Sequence, residues 1–369
     1  MSEDTISREV DTSRTEAFVD RLFSATLGII EVYAVYLGDR LGLYQALVND
    51  GPATPPELAK RAGIHPRYAR EWLEQQAVTE VVEVDDPAKP EDERRYALPA
   101  AHAEALVDPD SPFSIAPLAR AFASIGVVLP KVMDAYRTGG GVAWADYGAD
   151  GIEAQGDFNR PWLIHQFGAE YLPAVPDVHA RLQADPPARV ADVACGVGWA
   201  GIAVARAYPN VRVDGFDLDA SSIALANRHA EDAGLADRVS FQVRDAGDPA
   251  NEGAYDLAVV IEAVHDLSRP VEAIAAVRKM LAPGGTAIIA DERVADEFTV
   301  PGDPAERFFY GASIFICLPA GMAEQPSAAT GTVMRAGTMR RFAAEAGFKD
   351  VQVIESIDHP FLRFYRLTP

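Results

Sequence analysis

Residues 189–201 read Arg-Val-Ala-Asp-Val-Ala-Cys-Gly-Val-Gly-Trp-Ala-Gly, a short apolar strand that runs into a glycine turn opening a helix. Gly196, Gly198 and Gly201 carry the G-x-G-x-x-G spacing, and Asp217 follows about twenty residues later, where an acid that binds ribose hydroxyls belongs. On spacing alone this is a dinucleotide fingerprint. The neighbouring acids argue against it. Asp192 lies in the strand before the loop, where a pyrophosphate site keeps apolar residues, and an acid there suits a cationic ligand. Past a strand over 238–244, Asp245-Ala246 stands ready to accept a hydrogen bond from an exocyclic amine such as that of adenine. A fourth strand, 255–261, ends in Glu262-Ala263-Val264-His265-Asp266, and a fifth, 286–290, ends at Asp291.

The elements that must position these residues alternate strand and helix. A helix after Asp266 leads to Leu281-Ala282-Pro283-Gly284-Gly285 and the fifth strand. A late helix ends at Ala346-Gly347-Phe348, and strands over 351–355 and 361–367 close the chain. Alternation of this kind predicts an α/β fold with a largely parallel sheet. At these residues, over roughly 185–369, the chain resembles the class I S-adenosylmethionine-dependent methyltransferases. Their pattern is an acid in the first strand, a G-x-G turn, an acid closing strand two, Asp-Ala after strand three and Pro-Gly-Gly before strand five. The resemblance implies a Rossmann-like, seven-stranded mixed sheet, S-adenosyl-L-methionine as cofactor and S-adenosyl-L-homocysteine as product. It implies cofactor contacts from Asp192, Gly196, Gly198, Asp217, Leu218, Asp245, Ala246 and Glu262. Such a ligand carries a sulfonium and an ammonium but no phosphate, so acids rather than a bare helix N-terminus should line the loop.

Methyl transfer is an in-line displacement at carbon that needs position above all, and a hydroxyl acceptor also needs a base. His265-Asp266 resembles the His-Asp of plant-type small-molecule O-methyltransferases, which implies His265 as general base with Asp291 as the acid flanking it. That family has Glu at the latter position and Trp after His-Asp, where this chain has Asp291 and Leu267. A histidine there can also serve only to terminate the strand. Asp219 is expected to cap the helix after Asp217, and Thr338 the final helix. Arg335 holds either an acidic substrate group or a surface carboxylate. No His/Cys/Asp cluster has metal-ligand spacing along the chain, so no metal is expected.

The chain of 369 residues, 49% hydrophobic, is long enough for two or three cores. Its formal charge of −22 disfavours attraction to nucleic acid or an anionic membrane. Cys195 and Cys317 offer no disulfide framework. The acidic N-terminus is the wrong chemistry for a signal peptide, and the run 27–37, broken by Glu31, is too short to span a bilayer. A soluble, cytoplasmic protein is expected. Residues 15–48 carry apolar side chains at helical spacing, with more apolar surface than a solvent-facing arm needs. Thr54-Pro55-Pro56 starts a helix that stops at Gly63. A second helix over 67–78 and a hairpin from 81–84 and 95–98 complete a winged-helix outline. From Arg40 to Glu104 the charge is 8 − 12 = −4, and Arg67 and Arg70 are offset by Glu71 and Glu74, so a scaffold or dimer contact is favoured over DNA reading.

The chain as a whole also resembles a bacterial methyltransferase group with an N-terminal winged-helix dimerisation domain, which implies a homodimer through the N-terminal helices. The organisation expected is a winged-helix-like domain over 12–110, a helical, pocket-lining linker over 111–184 with a polar turn at 158–162, and a catalytic domain over 185–369. Residues 294–335 form an insertion at the carboxyl ends of the strands, the place for a substrate lid. The function expected is methylation of a small, partly apolar molecule, at oxygen, with His265 as base. The alternatives are a winged-helix regulator that senses the cofactor, and a methyltransferase fold that has lost methyl transfer.

Overall fold

The computed structural model describes residues 11–369. Most of the acidic stretch weighed above against a signal peptide, residues 1–10, lies outside the described residues. The described residues divide into two compact units, 11–108 with 113–122, and 109–112 with 123–369. Residues 123–184, expected as a linker, therefore pack within the same unit as the sheet.

In the first unit, helix α1 (Thr12–Arg40) is followed by α2 (Leu43–Asp50), α3 (Pro55–Ala62), α4 (Pro66–Val78), the strands β1 (Glu83–Val84) and β2 (Tyr96–Ala97), and α5 (Ala100–Leu106). The helix starts follow from local chemistry. Thr54 and Glu57 form a reciprocal capping box on α3, Pro55 fits its first turn, and Gly63 takes the left-handed conformation that ends it. The wing is minimal: β1 and β2 pair antiparallel over two residues each. Leu43, Tyr44, Leu58, Trp72, Leu73 and Tyr96 form its core, so Trp72 and Leu73 are packing residues. The basic residues Arg67 and Arg70 of α4 are occupied: Arg67 pairs with Glu71 and Arg70 with Glu91. By contrast α1 leaves Phe18, Leu22, Phe23, Leu27, Ile30, Tyr33 and Leu37 each more than two-fifths exposed.

The second unit holds most of α6 (Ala116–Thr138), then α7 (Gly148–Trp162), a wide π-type stretch Leu163–Tyr171 and α8 (Pro176–Gln183). The polar turn expected at 158–162 is instead the last turn of α7, with Pro161 inside the helix. Pro161 lacks an N–H and the coil widens immediately after it. Helix α6 is, among the described residues, the one helix long and apolar enough to cross a membrane. Its Val128 and Val132 are buried in a cluster with Val142 and Tyr147.

The sheet is built from β3 (Arg189–Val193), β4 (Arg212–Asp217), β5 (Val239–Val243), β6 (Tyr255–Ile261), β7 (Leu281–Glu292), β8 (Asp350–Val353) and β9 (Leu362–Thr368), in the order β5-β4-β3-β6-β7-β9-β8. The first five run parallel and β9 lies antiparallel between β7 and β8. Helices α9 (Trp199–Ala207), α10 (Ala220–Asp232), α11 (Pro270–Met280) and α14 (Ala336–Glu345) cover it. Alternate residues face opposite cores: Val190, Leu257 and Val259 pack with Ile202 and Val213, while Ala191, Val193, Ala258 and Val260 pack with Ile289 and Met339. This is the seven-stranded mixed sheet expected from the sequence. β7 begins earlier than expected, at Leu281, because the register jumps from Leu281 to Thr286 around Pro283-Gly284-Gly285. The strand order runs outward from β3 on one side and from β6 on the other, so a crevice opens beyond the carboxyl ends of these two parallel strands.

The insertion after β7 folds into α12 (Pro304–Ala312), a π-type turn Ser313–Cys317 and α13 (Leu318–Gly321). Helix α14 starts at Ala336 with Arg335 in the N-cap position, so Thr338 lies inside the helix rather than capping it.

Candidate active site

A cavity of about 310 Å³ opens where β3 and β6 part. The chain enters it through the glycine turn. Gly198 sits at φ +87°, and a Cβ there would stand 2.6 Å from the Phe241 ring, so both conformation and space demand glycine. Gly198→Ala is therefore expected to destabilise the protein by about 3 kcal/mol, strain and overpacking together, read as a shift of the denaturant midpoint with an unchanged slope. Helix α7 is laid directly on the turn: a Cβ at Gly156 would lie 2.0 Å from Val197 Cγ2.

Asp192, 1% exposed, accepts the N–H of Gly201 at 2.8 Å. Gly201 is the third residue of α9, so the donor that would meet a pyrophosphate is already held by a carboxylate. Burial lifts the Asp192 carboxyl to about 7, against the pull of that N–H. Asp217 closes β4 and accepts Gly196 N–H and Asp219 N–H, each at 2.9 Å, and burial raises its pKa. Leu218 lines the cavity and is two-thirds exposed. Asp219 caps α10 through Ser222 N–H, as expected, and also lines the cavity, which the sequence reading missed. Asp245 and Ala246 are not on this wall; the Asp245 carboxylate accepts Gly247 N–H at 2.8 Å, closing its own turn.

Glu262 follows β6 with φ +48°, and Ala194 follows β3 with φ +53°. Two non-glycine residues in the left-handed region flank one cavity, the kind of strain that collects at working sites. Glu262 Oε2 accepts from Gln155 Nε2 at 2.9 Å and from Asn159 Nδ2, both on α7. Burial, opposed by the Asn159 hydrogen bond, brings its carboxyl to about 6. Nothing in the α7 sequence marked Gln155 or Asn159, since lone amides on a helix carry no spacing signal.

His265 is 2% exposed and is not among the residues lining the cavity. Its Nδ1 stands 2.9 Å from both Asp291 Oδ1 and Glu292 Oε2, and its Nε2 3.2 Å from Asp266 Oδ1. Burial opposes charge on the ring, but Asp266, Glu292 and Asp291 together hold its pKa well above 6.5. Burial works to raise Asp291 as well, yet His265 keeps it low, while Glu292 is raised well above the carboxylate range by burial. Asp266 does line the cavity. Cys317, from the insertion, lies beside His265 and Asp266, its thiol pushed up to about 12 by burial. Linear spacing showed no metal-type cluster; the fold nonetheless brings donor atoms of His265, Asp291 and Glu292 within 4.8 Å of one another.

The insertion contributes Ala320 to the wall. Arg335 does not line the cavity: it binds the buried Glu306 of α12 at 3.0 Å and the Ala295 carbonyl, tying the insertion to the start of α14.

Residues 190–285 match the model of a methyltransferase domain, and residues 30–107 that of an Rv2258c-like winged HTH domain. Norajmaline N-methyltransferase of Rauvolfia serpentina is 31% identical over 114 residues, 30% of this chain and 39% of that protein. A ubiquinone biosynthesis O-methyltransferase of Burkholderia pseudomallei is 25% identical over 193 residues, 52% of this chain and 76% of that protein. The matched stretches span 24–39% of the first curated relatives. Among solved structures, mitomycin 7-O-methyltransferase superposes with TM-score 0.67 at 19% identity, covering 97% of this chain and all of that one. The sheet order is thus that of solved methyltransferase structures, and residues 190–285 resemble a methyltransferase domain, with an Rv2258c-like winged HTH match before it in sequence.

Proposed function

We propose that this chain binds S-adenosylmethionine in the cavity at β3 and β6 and methylates a small, partly apolar molecule. The observation that carries the reading is the convergence of the glycine turn with Asp192 and Asp217 on a wall that has no lysine or arginine. A dinucleotide brings a pyrophosphate that such a wall repels, and Asp192 already holds the helix N–H it needs. When bound, the cofactor supplies a methyl group on a positively charged sulfur. Asp217, at the end of β4, is positioned to accept from ribose hydroxyls, with Leu218 and Asp219 beside it, and Glu262 lines the cavity from the end of β6. Calorimetry is expected to show S-adenosylhomocysteine binding and no NAD binding; the reverse result would end the assignment.

For an oxygen acceptor, a base must have a lone pair facing the substrate. His265 presents neither ring nitrogen to the cavity, and both face carboxylates. In our reading the acceptor proton passes to Asp266, at the cavity wall, and His265 is a positioning residue behind it, held in turn by Asp291. This revises the expectation of His265 as the direct base. The curated relatives include both N- and O-methyltransferases, and the chemistry at this wall serves either.

We further read the protein as a cytosolic homodimer joined through α1, on the exposed apolar row from Phe18 to Leu37. Cys195 and Cys317 are both free, in keeping with a reducing compartment. Truncating α1 and α2 would also remove the core residues Leu43, Tyr44 and Leu47, so point changes are cleaner. Phe23→Glu with Ile30→Glu is expected to convert a dimer to a folded monomer by light scattering; a monomeric wild type at micromolar concentration would refute the interface. The regulator reading is disfavoured because Arg67 and Arg70, the cations a reading helix would spend on phosphates, are paired with Glu71 and Glu91.

A further inference from the structure

The cavity wall carries Asp192, Asp217, Asp219, Glu262 and Asp266, and no lysine, arginine or histidine lines it. Carboxylates removed from water need donors, a counter-charge or a proton. At the glycine turn the protein supplies donors itself: Gly201 N–H serves Asp192, Gly196 and Asp219 N–H serve Asp217, and Ser222 N–H serves Asp219. Across the cavity, past β6, it supplies much less. Glu262 receives only neutral amide donors from Gln155 and Asn159. Asp266 Oδ1 stands 3.2 Å from the His265 ring, a cation it shares with Asp291 and Glu292, while about a third of the side chain stays exposed at the cavity wall. The rest of that end is apolar or aromatic: Trp144, Ile152, Leu267 and Ala320.

We infer that the acceptor taken by this cavity carries a protonated amine on a small apolar or aromatic body, with Asp266 and Glu262 as its counter-charges, and that anionic acceptors are rejected. The inference rests on reading the cavity as a methyl-transfer site and adds the charge class of the molecule it takes. An ammonium meets a carboxylate by charge-assisted hydrogen bonds and an indole face by cation–π attraction. A carboxylate or phosphate entering the same end meets like charge in a partly desolvated space. The methylated atom is a separate matter, since the amine that anchors a molecule need not be the one that reacts.

The test uses the full-length protein saturated with S-adenosylhomocysteine and a matched set of probes: phenethylamine, phenethyl alcohol and phenylacetate. Binding is followed by calorimetry and saturation-transfer NMR. The amine is expected to bind at least about tenfold more tightly than the alcohol, with the carboxylate weakest. Asp266→Asn should shrink the amine's advantage to about threefold or less, with Glu262→Gln as a second variant should the first misfold; a wild-type-like cooperative thermal melt certifies the fold of each. Equal binding of amine and alcohol, a carboxylate that binds as tightly, or no binding by any probe at millimolar concentration would overturn the inference. Failure of S-adenosylhomocysteine to load would instead bring down the cofactor reading beneath it.

Discussion

His265→Asn is expected to cost about 3–5 kcal/mol of stability, because removing the cation leaves Asp291 and Glu292 buried without it. The pH dependence identifies the cause. The native pKa of His265 is raised, so its stabilising contribution is fully present below the unfolded value of about 6.5 and is lost as pH rises through the higher native value. Thermal melts of wild type and variant should therefore differ most at neutral and mildly acidic pH and converge on the alkaline side. A gap that does not change with pH would mean lost packing rather than lost charge. Once an acceptor is known, the same variant should lower kcat by about a hundredfold or more with little change in KM, because proton removal belongs to the transition state. Asp266→Asn should lower kcat as well, and should also raise KM for an amine-bearing acceptor, without the stability loss.

Asp217→Ala should weaken S-adenosylhomocysteine binding by about ten- to a hundredfold, the usual worth of a carboxylate that accepts from ligand hydroxyls. The side chain also holds the N–H of Gly196 and of Asp219, so the alanine variant loosens the turn as well as the contact. Asp217→Asn keeps an acceptor for one of those donors and should lose less. Isothermal calorimetry on the three proteins decides it, and unchanged affinity in Asp217→Ala would remove the residue from the cofactor site.

Much of the fold is legible in the sequence. The strand 255–261 was read to the residue because a parallel strand buried on both faces is a continuous apolar run bounded by polar breaks. α3 and α4 were read closely because Thr54, Pro55, Pro66 and Gly63 are local signals that tertiary packing does not override. β7 was misplaced at its start because Pro-Gly-Gly signals a turn, whereas here it is a bulge within a strand. Thr338 was misread because an N-cap is set by where the backbone turns, one helical turn earlier than the hydroxyl suggested. At the site, Asp192, Asp217 and Glu262 were visible through the motif, but the environment of His265 was not. Asp291 was paired with it by resemblance; Glu292, adjacent in sequence, and Cys317, from the insertion, reach it only through the fold. Gln155 and Asn159 could not be found from sequence, because their meaning lies in a carboxylate a hundred residues away.

The missing side chain at Gly156 has a consequence for kinetics. Val197 packs so closely against Gly156 that a Cβ there would lie 2.0 Å from its Cγ2, and the same helix carries the two amides that hold Glu262. Filling the loop thus sets the far wall before any acceptor arrives. We expect ordered binding, cofactor first and demethylated cofactor last, read as inhibition by S-adenosylhomocysteine that is competitive with the cofactor and not with the acceptor.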